Sequence, residues 1–398
     1  MVLVMVSSRV ASLKPSFTKV MSSLAAEYKK KGLDYYSLHA GQPGFPPAKE
    51  AVEHVARRLL EEYDRSLYSY TPSEGLLTLR EAISDDLDRL GRPRPDPAKE
   101  IIATSGGMEA VFSTLAALTD PGDPVGLVLP SYFQYFNILS FLEVRQIAFS
   151  SYPSLTIDED GWKQLFAMSK VVLISNPDNP TSRSLSLDEA RLLADLACDE
   201  KVYIVHDVAY YTLYYEGGPA WPERYCWEYI ITVGSYSKDP GIPGWRLGYI
   251  AGPSAITQEA KKVREIASYN PPTPSQMLVE YYLRNKLREK YLPHVLQEYA
   301  KRRDALVEAL RTYLPEVKFH KPRAGMFIYV NFSNYIKRGT SENLSWILAK
   351  NKRVFTVPGT VFGHGGEKYM RLSFSYESPD RIEKAVIKIK DILLGAKT

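Results

Sequence analysis

Short runs of consecutive apolar residues alternate, over the first two-thirds of the chain, with longer stretches whose apolar positions recur every three or four residues. The short runs fall at 101–104, 125–129, 171–174, 202–205 and 229–233, and each ends in small or polar residues. A strand apolar on both faces is covered on both faces, as in parallel sheets. The alternation therefore predicts an α/β fold, a mostly parallel sheet with helices on either side. The helical period predicts helices over 10–31 (stopped by Gly32), 48–63, 75–90 and 108–118. A short strand at 35–38 precedes the turn Gly41-Gln42-Pro43-Gly44. Beyond about residue 285 the rhythm changes. A long charged helix over 286–313, strands at 317–320, 326–330, 354–355 and 369–374, and a final helix predict a smaller α+β domain.

Composition narrows the partners. The 398 residues carry a net charge of +4 with basic and acidic residues interleaved, which argues against nucleic acid as a partner. The densest basic run, Lys29-Lys30-Lys31, reads as an exposed helix end. No apolar run is long enough to span a bilayer, and residues 1–6 are too short for a signal sequence. Cys198 and Cys226 have neither metal-ligand nor redox-motif spacing, so a reducing cytoplasm is expected. Abundant Tyr and Pro with sparse Asn and Gln lean toward a thermophilic source.

In α/β sheets, ligands bind beyond the carboxyl ends of the strands. The polar clusters of this chain lie there. Ser105-Gly106-Gly107-Met108 joins a strand to a helix start, where free N–H groups favour an anion, although many such turns hold nothing. Asn176-Pro177-Asp178-Asn179-Pro180-Thr181 follows a strand, and Asn179 either donates its amide to a ligand or merely forms the turn. Asp207, after another strand, either pairs with a protonated ring nitrogen or caps the next helix, while His206 reads as a packed residue. Tyr132 can stack on a flat ring. Lys238 lies in Gly-Ser-Tyr-Ser-Lys after the run 229–233, with Arg246 eight residues on among glycines. That spacing suits a lysine Schiff base to pyridoxal 5'-phosphate (PLP) and a phosphate-holding arginine. Arg371, inside an apolar strand, requires a carboxylate or phosphate, or else an ion pair.

In this order, together with Gly41-Gln42-Pro43 and Tyr70-Thr71-Pro72 with Gly75, these motifs resemble the class I/II aminotransferases of PLP fold type I, from Arg9 to the last helix. The resemblance implies roles. Lys238 would carry the cofactor, Asp207 would face its ring nitrogen, and Asn179 and Tyr210 its phenolic oxygen. Tyr132 would stack on the ring. Gly106, Gly107, Met108, Ser235 and Arg246 would surround the phosphate, joined by Tyr70 from the second subunit of a homodimer. Arg371 would grip the substrate carboxylate, assisted by Gly41 and Asn179. No metal is implied. The resemblance also implies that residues 1–45 join the small domain, with a large PLP-binding domain over 46–285 and the small domain over 286–398.

Three positions depart from the family pattern: Ser182 replaces a glycine, Val208 an acid, and Met108 a lysine found in some aspartate-preferring relatives. The reading is amino-group transfer from an L-amino acid to a 2-oxo acid such as 2-oxoglutarate, with a broad, aromatic-leaning range. The stretch from Arg9 to Pro47 resembles the aspartate/aromatic subgroup, and Tyr70 to Gly75 also the 2-aminoadipate/kynurenine branch. A PLP-dependent carbon–sulfur β-lyase or an aspartate aminotransferase would use the same site residues. A PLP-bound transcription regulator would need an added DNA-binding domain, for which the start near Arg9 leaves no expected room.

Overall fold

The computed structural model describes residues 6–62 and 65–395. Residues 1–5 of the N-terminal segment, and Tyr63 at the end of the helix expected over 48–63, lie outside the described residues. The first strand, β1 (Tyr36–Ser37), stands apart from the central sheet. That sheet contains β2 (Ile101–Thr104), β3 (Pro124–Leu129), β4 (Arg145–Ser150), β5 (Val171–Ser175), β6 (Tyr203–Asp207), β7 (Ile230–Ser235) and β8 (Gly248–Ala251). Its order is β2-β8-β7-β6-β5-β3-β4. The pairs from β7 to β4 are parallel, and only β8 runs against its neighbours.

Successive residues of the buried strands serve opposite faces. Val171 and Leu173 pack with Ile102, Leu127 and Val205 under the helices Gly107–Leu118 and Phe133–Phe141. Val172 and Ile174 pack with Ile204 and Ile230 against Glu159–Ala167 and Leu187–Glu200. This is why those runs show no polar alternation. β4 escapes the pattern because it is an edge strand, paired only with β3 and mostly exposed or half-exposed along its length. Its polar residues hide it from a search for apolar runs.

The second unit is built on β9 (Phe327–Asn331), β10 (Val354–Phe355), β11 (Val357–Pro358) and β12 (Tyr369–Ser373). β11, β12 and β9 form an antiparallel sheet, while β10 pairs in parallel with β1 and so ties the N-terminal stretch to this unit. The long helix Leu287–Tyr313 and the final helix Pro379–Gly395 cover it. The strand expected at 317–320 does not form: Lys318 makes a single bridge to Asn331, between Pro315 and Pro322, neither of which has an N–H to donate. The helix expected over 10–31 is broken at Pro15 into Ser8–Ala11 and Phe17–Lys30, the second capped by Ser16 accepting from the Lys19 N–H at 3.3 Å.

Cys198 and Cys226 form a disulfide, with Cα atoms 6.1 Å apart. Their separation of 28 residues carries no motif; the fold brings the last turn of Leu187–Glu200 beside the turn after Pro222–Arg224. Glu228 lies close by, but both sulfurs are committed to each other.

A buried ion cluster fixes the chain next to Lys238. Arg288 donates from Nε to Asp239 (2.5 Å), from Nη1 to both Asp86 oxygens (2.5 and 2.6 Å) and from Nη2 to the Tyr211 hydroxyl (2.8 Å). The Tyr282 hydroxyl donates to Asp239 at 2.6 Å. Asp239 follows Lys238 and Tyr211 follows Tyr210, so one guanidinium anchors two stretches of candidate-site backbone. Removing it would leave buried Asp239 without a cation and Asp86 with only Arg89, at 3.2 Å. Arg288→Met is expected to cost about 3–5 kcal/mol of unfolding free energy, read by denaturant melts. A loss below about 1 kcal/mol would show that water replaces the guanidinium freely.

Candidate active site

The parallel strands end at one edge of the sheet, and the predicted residues meet there. A cavity of about 210 Å3 is lined by Gly107, Met108, Tyr132, Asn179, Asp207, Tyr210, Ser235, Lys238 and Arg246, together with Tyr135, Ser175, Ala209, Ser237 and Pro243. Thr104 and Ser235 flank Gly248 in the ladder, which sets the Gly106-Gly107 turn against the end of β7. Gly106 has φ +96°, and a Cβ there would collide with the Arg246 guanidinium, so only glycine lets that side chain lie against the turn. A Cβ on Gly107 would come within 3.1 Å of the Ser235 side chain. The result is a cradle of N–H groups at the start of Gly107–Leu118, a hydroxyl and an arginine, the donor set a phosphate takes.

Asp207 is 9% exposed and closes its own turn by accepting from the Ala209 N–H at 2.9 Å. Its other oxygen accepts from the Tyr135 hydroxyl at 2.6 Å. It forms no ion pair among the described residues, and burial raises its pKa above the usual carboxylate range. A buried carboxylate of this kind can take a cation, such as a protonated ring nitrogen, as partner. Asp207 caps no helix, contrary to one of the two readings, since the next helix begins at Pro222; one oxygen closes a turn to Ala209 and the other takes the Tyr135 hydroxyl.

Lys238 donates to the Gly41 carbonyl at 2.5 Å, and its ammonium lies 5.6 Å from the Tyr210 ring centre. Burial, then the nearby Arg371 and Arg246 charges, lower its pKa to about 8, against the opposing pull of Asp207. An amine of that kind is readily made neutral and nucleophilic.

Arg371, on β12, is 2% exposed and has no acidic partner among the described residues. Its Nη1 donates to the Asn179 carbonyl oxygen (2.8 Å) and its Nη2 to the His39 carbonyl (2.8 Å), while Nε has no partner. Burial lowers its pKa to about 10. A buried, incompletely satisfied guanidinium can take a carboxylate. Asn179 faces both ways, its amide 3.4 Å from the Tyr210 hydroxyl. Gly41 brings the chain close, since a Cβ there would come within 3.1 Å of the Phe327 ring.

Tyr70 stands outside this cavity. It is 83% exposed, its ring edge-on to Tyr269 at 5.2 Å. Sequence reasoning missed Tyr135, although it sits three residues after Tyr132 at the start of the same helix, which was the available signal. It also missed His39, whose ring is buried between Ser22 and Ser37 and whose pKa burial, then the Arg371 charge, lowers to about 4.

A family model, aminotransferase class I and II, matches residues 34–389. The chain belongs to that family. It is a transaminase, moving an amino group from an amino acid to a 2-oxo acid. It is 29% identical to the aspartate/prephenate aminotransferase of Thermus thermophilus over 391 residues, 97% of this chain and 98% of that protein. It is 26% identical to aromatic-amino-acid aminotransferase 2 of Thermococcus litoralis over 400 residues, 98% of this chain and 99% of that one. The solved structure of the Thermus thermophilus aspartate aminotransferase with maleate superposes with a TM-score of 0.90 at 27% identity, covering 98% of this chain and 99% of that one. In this aminotransferase, the mostly parallel sheet with covering helices is the family fold.

Proposed function

We propose that this transaminase holds PLP in the 210 Å3 cavity and acts on L-amino acids with large apolar or aromatic side chains, returning the amino group to 2-oxoglutarate. The observation that carries the cofactor reading is that, among the described residues, buried Asp207, Lys238 and Arg371 form no ion pair. PLP, when bound, supplies an electron sink for the electrons released at the substrate α-carbon.

The chain's own groups do the rest. Arg371 and Asn179 would hold the substrate carboxylate and so orient the bonds at its α-carbon. Lys238, neutral once deprotonated, takes the α-proton and returns it one atom further along, as general base and acid. Asp207, held by Tyr135, keeps a proton on the ring nitrogen. Asn179 and Tyr210 would hold the phenolic oxygen, Tyr132 would lie along the ring, and Gly106, Gly107, Ser235 and Arg246, with the Met108 N–H at the helix start, would hold the phosphate.

Side-chain preference rests on Met108. It lines the cavity where a lysine would answer a second carboxylate, and the charged groups acting on Lys238 are Arg371, Arg246 and Asp207. Relatives named for aspartate and for aromatic substrates both align along nearly the whole chain. The deciding experiment compares kcat/KM for phenylalanine, kynurenine, 2-aminoadipate and aspartate with 2-oxoglutarate as acceptor. Phenylalanine should exceed aspartate. An aspartate preference of tenfold, about 1.4 kcal/mol, would overturn the argument from Met108. Arg371→Leu should raise KM for every donor, by roughly 1.5–3 kcal/mol of lost charged contact; an unchanged KM would place the carboxylate elsewhere.

The working unit we propose is a homodimer in which Tyr70 reaches the partner's phosphate site. Tyr70, Tyr269, Ile266, Tyr68 and Leu60 are all strongly exposed, and the Tyr70 and Tyr269 rings are in contact. Sedimentation should give twice the chain mass at assay concentration, and a fully active monomer would contradict it. The division into 1–45 with 286–398 and a large unit over 46–285 follows the same reading, supported by the β1–β10 pair. For location we propose the cytoplasm. No described helix is long and apolar enough to cross a membrane. Disulfides are found inside cells of hyperthermophiles, and the relatives named above come from Thermus and Thermococcus.

A further inference from the structure

A second cavity, of about 590 Å3, shares no lining residue with the cofactor cleft. Its walls come from both units: the loops at 154–156, 181–187 and 216–220 on one side, and residues 320–323 with Tyr329 on the other. Its size is that of a small-molecule site. Leu155, Leu185, Ala220 and Pro322 give it apolar lining, and Thr181 with the serines of 181–187 supplies hydroxyls.

Its charge is mostly basic. Arg183, Lys321 and Arg323 line it, against the single acid Glu216. Most of these are already answered: Arg183 by Glu189, Lys321 by Asp304 (3.0 Å), and Glu216 by Arg303 (3.0 Å). Arg323 forms no ion pair among the described residues. The opposite wall leaves room for it: Gly217, at φ +72°, would place a Cβ 3.1 Å from Arg323 Nη2. Two lining residues, Leu155 (φ +60°) and Ser182 (φ +56°), hold left-handed backbone that side chains other than glycine rarely adopt. Strain of this sort is retained where the surroundings enforce it, often around ligands.

We propose that this cavity is a second ligand site, taking a small carboxylate with an apolar or aromatic body, with Arg323 as its anion partner. Its occupant acts on substrate binding. Ser182 Oγ accepts from the Phe327 N–H at 3.0 Å, tying the loop to β9. Asp178 accepts from Thr181 Oγ1 at 2.6 Å, and Asn179, between them, accepts from Arg371. Tyr329, in the wall, is the ladder partner of Arg371. A ligand seated against Thr181, Tyr329 and Arg323 therefore bridges the two units next to the residues that grip the substrate. It favours the arrangement in which they are together and so lowers KM for the amino donor.

The probe is 4-hydroxyphenylacetate, an aromatic carboxylate with no amino or oxo group to react. Calorimetric titration is run on the holo Arg371→Leu protein, which lacks the carboxylate grip of the cofactor cleft. Saturable binding is expected, weakened about tenfold by adding Arg323→Ala, the loss of one charge-assisted contact, and abolished by Arg323→Glu. Arg323 is exposed, so both variants should fold. No binding, or equal binding in all three proteins, overturns the site. This arm reads no activity, so it stands or fails apart from the transaminase reading. In wild-type assays the probe should lower the donor KM, with Arg323→Glu unresponsive. A competitive rise in KM of the same size in both overturns the coupling.

Discussion

Lys238→Ala is expected to lower kcat by at least about ten-thousandfold, the upper range for a positioned general acid–base, because this variant also loses the amine that holds the cofactor. No other described amine lines the cofactor cavity, since Lys238 is its only lysine. The same side chain gives a pH signature. An ordinary lysine titrates near 10.5, whereas burial and the Arg371 and Arg246 charges bring Lys238 down to about 8 in the protein without cofactor. Below that value the amine is protonated and inert. PLP capture by the cofactor-free protein, followed by absorbance, should therefore accelerate as pH rises through about 8 and level off above it. A rate that climbs steadily toward the ordinary lysine value would mean that the amine is solvated. Near-normal turnover of Lys238→Ala would remove it from the chemistry.

Asp207→Ala carries the second largest expected effect. In the protein without cofactor, burial pushes this carboxyl up while the Tyr135 hydroxyl and the Ala209 N–H favour its charged form. A protonated ring nitrogen opposite would settle the balance toward the carboxylate. Losing that preorganised charge should cost about 3–4 kcal/mol in the proton-transfer step, a hundredfold to thousandfold in kcat, while PLP still attaches through Lys238. Tyr135→Phe should act in the same direction more weakly, since it removes one hydrogen bond from the carboxylate and leaves the charge in place. Single-turnover kinetics would read both. An Asp207→Ala enzyme close to wild type would show that Asp207 only closes the turn to Ala209.

The sequence revealed the buried strands best, because being covered on both faces writes itself as an unbroken apolar run. Val171 to Ile174 feeds two cores at once and could hardly read otherwise. Where a strand lies at an edge, as β4 does, solvent permits polar residues and the signal disappears. The residues at strand ends were legible because their types are unusual there: a lysine after small residues, an arginine inside an apolar strand. What stayed hidden depends on distance in the chain. The His39 carbonyl meets Arg371 across 332 positions, and Arg288 reaches Asp86 across 202. No local pattern encodes such contacts. The Cys198–Cys226 bond is of the same kind: its partners carry no motif, and only the packing of the helix Leu187–Glu200 brings them together.

The most direct test of amino-group transfer is the half-reaction. The purified holoenzyme is mixed with phenylalanine alone, with no oxo acid present, and absorbance, oxo acid and ammonia are followed together. The visible band of the lysine-bound cofactor should be lost, one oxo acid should be released per active site with no ammonia, and adding 2-oxoglutarate should restore the band. Continued release of ammonia and oxo acid over many turnovers without an acceptor, from phenylalanine or a sulfur-containing amino acid, would contradict amino-group transfer and point to a lyase.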